Sequence, residues 1–196
     1  MTKKEIEQIK GAFAAIIGQP MRNLTRSGAK FIIDFGELIE LSSFVFDENG
    51  SLALGANGKP IPTTKMRGQY GIDSLCSMRL TCGNEVILAS SDIFLPNEEQ
   101  SNKEGFVWDT FDWLTHGNTF FDELLATHFR GEFDGYIVKS VKVKKFGDLT
   151  ITFENGFVLE FFTDTADLSE IWRFGETNST HSLVVTSKGI LDESAL

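Results

Sequence analysis

Between Val138 and Phe162 apolar side chains return at every second position, through Val141, Val143, Leu149, Ile151, Phe153, Phe157, Leu159 and Phe161. That period belongs to half-buried antiparallel strands, so the stretch reads as a meander. The turn chemistry agrees. A three-residue loop Glu154-Asn155-Gly156, with Gly156 left-handed, sets Phe153 opposite Phe157 and Ile151 opposite Leu159. A two-residue Asn-Gly turn would throw the two apolar sets onto opposite faces and is rejected on that ground. The same counting around Phe146-Gly147-Asp148 places Val143 beside Ile151.

The rest of the chain adds helices to this sheet. Thr2 and Glu5 form a capping-box pattern ahead of an apolar stripe, Ile6, Ile9, Phe13 and Ile16/Ile17, which Gly18 and Pro20 close. Such a stripe is expected to cover a sheet of its own domain. Lys30–Phe35 and Leu38–Phe46 read as two strands, followed by a turn at Asp47-Glu48-Asn49-Gly50 and a short extended piece at 51–54. Gly55 to Gly71, rich in Gly and Pro, reads as a long surface loop. Ile72–Leu80 and Glu85–Ala89 suit a hairpin around Thr81-Cys82-Gly83-Asn84, ended by 92–95 and Pro96.

Asn97 to Gly105 is polar and divides the 196 residues into possible sub-halves 1–96 and 106–196 of one domain. Beyond it, Asn118 or Thr119 can cap a helix over Phe120–Arg130 whose stripe is Phe121, Leu124, Leu125, His128 and Phe129, closed by Gly131. Asp164–Ile171 reads as a turn or short helix, and His181–Thr186 as a last strand. The expected fold is therefore α+β: antiparallel meanders in two halves, with an N-terminal helix and one mid-chain helix packed on them.

Composition narrows the function classes. A net charge of −10 argues against nucleic acid and anionic membranes, because both call for a basic footprint. The one basic run, Lys139, Lys142, Lys144 and Lys145, alternates with valines and suits the protected edge of a sheet. Cys76 and Cys82 form no CxxC motif and are expected as free thiols. No secretory signal pattern and no bilayer-length apolar stretch occur, so a cytoplasmic protein is expected. Phosphate-cradling glycine motifs, GxSxG and HExxH are absent, and three histidines give no metal-ligand spacing. Neither a cofactor nor a metal is expected.

Two clusters remain as candidate binding residues. In the first, Trp108, Asp109, Asp112 and Trp113, two carboxylates among aromatic rings could divide acid and base roles. The simpler alternative is that the tryptophans pack and the aspartates cap a turn. In the second, Trp172, Arg173 and His181, an arginine stacked on a tryptophan near a histidine would suit an anion or peptide. The simpler alternative there is an edge arginine and a histidine satisfied by a backbone carbonyl.

The order of short motifs adds a resemblance. Phe35-Gly36, the strand with Cys76, Met78 and Arg79, Ser91 to Phe94, Trp108-Asp109 and Gly117 to Asp122 come first. Then follow Phe-Gly-Asp-Leu from Phe146, Glu-Asn-Gly-Phe-Val-Leu-Glu-Phe-Phe, Trp-Arg-Phe and His-Ser-Leu-Val-Val. This pattern resembles a group of small, functionally uncharacterised bacterial proteins, most specifically from Phe146 to Val185. The resemblance brings no catalytic residues. In size and charge the chain also looks like immunity proteins of bacterial toxin systems, an analogy at the level of the fold.

The expected function is a non-enzymatic, cytoplasmic protein-binding module, immunity-like, using acidic and aromatic surface to hold a basic protein. One alternative is a small hydrolase or ligand-binding enzyme using Asp109, Asp112 and His116. Another is a homodimer or larger structural assembly in which strand edges or Phe residues pair across a twofold axis.

Overall fold

A computed structural model describes residues 1–46, 51–129, 133 and 135–191. Eleven strands occur among these residues, and they form two antiparallel sheets. The six-stranded sheet has the order β1 (Met21–Ser27), β2 (Lys30–Phe44), β3 (Pro62–Ser74), β9 (Glu170–Glu176), β10 (Leu183–Thr186) and β11 (Gly189–Leu191). The five-stranded sheet runs β5 (Glu85–Ala89), β4 (Ser77–Cys82), β8 (Phe157–Phe162), β7 (Leu149–Phe153) and β6 (Val138–Val143). With helices α1 (Lys3–Phe13), α2 (Glu98–Ser101) and α3 (Phe120–Phe129), this is the α+β architecture the sequence implies. Each sheet takes strands from both sides of the Asn97–Gly105 segment.

The inward faces of both sheets contribute to one buried cluster, in which Ile33, Ile72 and Trp172 meet Leu80, Ile151, Leu159 and Phe161. Helix α1 seals it. Thr2 and Glu5 form the full capping box, and Ile9, Phe13 and Ile16 are wholly buried. Phe13 stacks on Phe174 at 4.1 Å and meets the edge of Trp172 at 5.7 Å. The Glu5 carboxylate also accepts from the backbone N–H of Ile190, tying the helix start to β11. At the other side Phe121 of α3 lies 5.2 Å from Phe31 of β2. Phe129 closes the expected stripe in the core, but His128 beside it is exposed. Arg130 and Gly131, expected to end this helix, lie outside the described residues, as does the expected turn at Asp47–Gly50.

The meander holds the expected register at its second turn: Gly156 has φ 88° and Ile151 pairs with Leu159. At the first turn Val143 pairs with Leu149, and it is Val141 that faces Ile151. Lys144 N–H bonds the Asp148 carbonyl at 2.9 Å, so the three-residue loop is Lys145-Phe146-Gly147, one residue earlier than expected. The slip of two keeps every side chain on its expected face. Lys142 is exposed on β6, an outer strand of its sheet, and Lys144 is exposed just beyond its end.

Other expectations are corrected. Residues 30–44 form one strand with a bulge at Gly36 (φ 86°), so Leu38 continues the strand begun at Lys30. The expected loop from Gly55 to Gly71 is a strand from Pro62 onward, because Pro62 stands at its first position, where a missing N–H is tolerated. Ile72–Leu80 is not one strand: the chain changes sheet at Leu75-Cys76, where both backbone N–H groups bond the Ile171 carbonyl. Residues 90–94 form a 3-10 turn capped by Asp92, and the last expected strand starts at Leu183 and is followed by β11. Met21–Ser27 is a strand the sequence pattern does not announce.

Beyond the reach of β1 and β9, β2 and β3 continue alone as a two-stranded ribbon. Seven cross-strand pairs, from Leu38–Gly68 to Phe44–Pro62, build it. At its root, Asp34 is buried and takes two hydrogen bonds of 2.7 Å from Arg67. A Cβ on Gly68 would lie 2.6 Å from the Phe35 carbonyl oxygen and 2.7 Å from its nitrogen. Those are backbone atoms with no freedom to yield. Gly68→Ala is therefore expected to lower unfolding stability by about 2 kcal/mol or more. Denaturant titration against the parent chain checks this; a loss under about 0.5 kcal/mol would show that the bulge relaxes easily.

Candidate functional site

Arg26, on β1, is buried to its guanidinium, with no side-chain exposure at all. Its Nε and Nη2 donate to the two Asp122 carboxylate oxygens at 2.9 and 2.6 Å. The remaining N–H groups reach the carbonyls of Gly28 (3.2 Å), Trp113 (3.0 Å), Leu114 (3.5 Å) and Thr115 (2.9 Å). Asp122 stands in the first turn of α3. Its backbone N–H bonds the Thr119 hydroxyl, while its carboxylate accepts from the Thr119 hydroxyl and the Gly117 N–H. Burial works against ionisation of Asp122, but the hydrogen bonds from Arg26 and Thr119 outweigh it and hold the carboxyl below its ordinary value. The exposed His116 imidazole lies 3.8 Å away, a charged neighbour only when protonated.

This clamp fixes the segment that carries the first candidate cluster. From Phe106 to His116 the chain is irregular apart from a 3-10 turn at Trp108–Thr110. Phe106, Trp108 and Phe111 form a ring cluster with centroids 5.5 to 6.4 Å apart. Trp108 is 60% exposed, and among the described residues no protein acceptor meets its indole N–H. Trp113 is half-buried, edge-on to Phe94 at 5.1 Å. Exposed Phe94, Leu95, Val107 and Leu114 lie in the same part of the chain. The cluster thus divides: Trp113 packs, and Trp108 faces outward.

The aspartates divide too. Asp109 is exposed. Asp112 accepts from Leu114 N–H (3.0 Å), Thr115 N–H (3.4 Å) and the Thr115 hydroxyl (2.5 Å). The Thr115 hydroxyl bond, with the backbone bonds beside it, lowers its pKa. A carboxylate engaged in this way is a turn cap and a poor proton donor.

The polar 97–105 segment is docked against the same region. Asn97 caps α2 and donates to the Gly117 carbonyl at 2.7 Å, Gln100 bonds Asn118 at 2.7 Å, and Glu98 N–H bonds Glu123 at 2.9 Å. It carries Glu98, Glu99 and Glu104 next to the aromatic loop in sequence.

The second candidate cluster does not assemble as one site. Trp172 is fully buried and its indole N–H donates to the Gly147 carbonyl at 2.9 Å. Arg173, its neighbour on β9, projects to the other face of the sheet, where its Nε bonds Glu170 at 2.7 Å. Arginine-on-tryptophan stacking is therefore excluded by strand geometry. Arg173 and Arg67 line a shallow polar groove of about 240 Å³ over the paired glycines Gly71 and Gly175, with Asp73 and Glu176 also on its walls. His181 passes its backbone carbonyl over Gly175, and its exposed ring lines a separate depression with Lys4, Gln8 and Leu191.

Arg26, Asp122, Asp34 and Arg67 were not candidates from sequence. The Thr119-x-x-Asp122 spacing is a capping signature that could have singled out Asp122. Arg26 carries no such mark. Cys76 and Cys82 are free, and burial pushes the Cys76 thiol up to about 11. No group of side chains suited to a metal ion occurs among the described residues. No helix among them is long and apolar enough to cross a membrane. Comparison with family models, curated proteins and solved structures finds no match to the chain.

Removing one member of a buried ion pair leaves the other charge uncompensated. Asp122→Asn should cost about 3–5 kcal/mol in denaturant unfolding, and an apolar pair, Arg26→Met with Asp122→Leu, should recover only part of it, because four backbone carbonyls then lose their donor. Because folding lowers the Asp122 pKa, its contribution is complete above the unfolded value of about 4 and is lost as pH falls through the native value. The acid limb of the stability profile should therefore be shallower in Asp122→Asn than in the parent. Identical limbs would show that the pair does not couple to folding.

Proposed function

We propose that this chain is a non-enzymatic, cytoplasmic protein-binding module whose contact surface is the loop from Phe106 to His116. The observation that carries the reading is Trp108, which is exposed in a ring cluster on a loop that the buried Arg26 holds by three of its carbonyls. Exposed tryptophans on ordered loops are the side chains that most often dominate binding energy, since they bury a large area at little entropic cost. The indole N–H supplies a directional bond to a partner carbonyl or carboxylate. In the flanking sequence, Asp109 with Glu98, Glu99 and Glu104 gives acidic character, in keeping with the chain's net −10. A basic protein is the partner this surface suits, as it would suit an immunity-like role.

The hydrolase alternative receives less support. Its acid–base pair would rest on Asp109, Asp112 and His116, and both Asp112 oxygens are occupied by donors of its own turn. The resemblance to small bacterial proteins adds no residue to either reading.

The test uses the tagged protein as bait in lysate of its source organism, beside a Trp108→Ala bait and a Lys139→Ala control remote in sequence. A basic protein retained by the parent and the control should be lost from Trp108→Ala, with affinity reduced about 30-fold or more for a hot spot. Its binding should weaken as salt is raised. Retention unaffected by Trp108→Ala would remove this loop as the contact surface, and an affinity insensitive to salt would remove the electrostatic part.

A further inference from the structure

We propose that the chain forms a twofold homodimer by pairing the outer edge of its ribbon, Leu38–Phe44 of β2, with the same edge of a second copy. The ribbon is supported by its own chain on one side only. Among the described residues its only strand neighbours in the region Leu38–Phe44 are those of β3. Leu38, Phe44 and Met66 share one face and are each about half exposed. A lone two-stranded ribbon is marginal in water, and an open edge invites a further strand.

The edges differ in a way that selects the partner surface. On β3 the ribbon carries Pro62, Lys65 and Arg67, devices that resist pairing; β6 carries Lys139 and Lys142. The outer strands β5 and β11 are short, at 5 and 3 residues. The remaining outer strand, β1, carries Arg22 and Arg26, so among the described strand edges the β2 side of the ribbon is the one that combines length with sparse charge, Glu40 alone between Leu38 and Phe44. An antiparallel strand paired with itself is twofold symmetric, so one such edge is complementary to its own copy.

The register follows from the hydrogen bonds. Val45 N–H points inward to the Ile61 carbonyl at 2.9 Å. By alternation Ser43, Leu41 and Ile39 also point inward, leaving the N–H and C=O groups of Leu38, Glu40, Ser42 and Phe44 free to face a partner strand. Centring the axis on Glu40 would oppose two carboxylates. Centring it on Leu41 sets Leu38 against Phe44 of the second copy, Glu40 against Ser42, and Leu41 against itself, with no like charges opposed. Long-range charge does not oppose this: the segment 37–68 holds four acidic and three basic residues, so it carries little of the chain's net −10.

This inference is independent of the Trp108 surface, and its test is too. Light scattering of the full chain from about 1 μM to about 500 μM should show the mass doubling with concentration. Ser42→Pro removes an outward N–H without touching the β2–β3 bonds and should be monomeric where the parent is a dimer, with unchanged circular dichroism. In a Cys82→Ser background, Leu41→Cys sits on the axis at a non-hydrogen-bonded pair and should cross-link to a dimer under a mild oxidant. A parent that stays monomeric throughout overturns the proposal. So does a dimer that persists in Ser42→Pro or fails to cross-link through Leu41→Cys.

Discussion

One guanidinium sets the geometry of an otherwise irregular part of this molecule. Arg26 faces six oxygen acceptors from three places in the chain: the β1–β2 turn, the 113–115 carbonyls, and both oxygens of Asp122 at the start of α3. Hydrophobic packing alone would leave the 106–116 loop free to choose among many conformations, since carbonyls in such a loop must find donors or water. Burying the charge costs several kcal/mol, and the carboxylate with its four accompanying carbonyls offsets that cost only in this arrangement. The pair therefore contributes more to specificity of the loop than to net stability. A loop ordered in advance would lose less entropy on meeting a partner, the advantage the proposed Trp108 surface would draw from this clamp.

A second buried pair repeats the device at the root of the ribbon. Asp34 and Arg67 lie on neighbouring strands at the bulge where β1 ends. Beyond that point β2 and β3 lose their outer neighbours. The strand β2 connects the two regions: Lys30 starts beside the turn whose Gly28 lies against Leu114, and Phe44 ends the ribbon's ladder. At about 3.3 Å per step, the fourteen steps of this fifteen-residue strand separate its ends by roughly 45 Å at most. A dimer joined through its ribbons would leave both Trp108 loops unobstructed, so self-association and partner binding are compatible.

What the sequence made legible was local. The meander could be read because each of its strands alternates cleanly and Gly156 marks its turn. The Lys144–Asp148 loop misled by two residues, because nothing in Lys-Lys-Phe-Gly-Asp says which carbonyl Lys144 will reach. The α1 cap was legible because Thr2 and Glu5 are three residues apart. Arg26 and Asp122 were not, being 96 positions apart and individually ordinary. β3 was hidden by its own requirements: Gly68 is demanded by the bulge, and Pro62 opens the strand, yet together they resemble a loop. The change of sheet at Leu75-Cys76 was invisible since the apolar alternation continues across it.

The tryptophans show why side-chain type could not locate the site. Trp108 and Trp172 stand in similar company, each beside a charged residue in an aromatic stretch. What separates them is where the indole N–H goes. For Trp172 the Gly147 carbonyl is within the core at 2.9 Å, and Gly147 holds φ 95° with Val185 and Ile171 closing on it. The turn between β6 and β7 thus supplies the acceptor that lets a large polar-tipped ring be buried without penalty. Trp108 has no such turn above it, and Asp109 and Thr110 instead carry the chain back at the surface. A buried indole needs an acceptor brought from a distant part of the chain, and Trp108, which meets none among the described residues, stays at the surface.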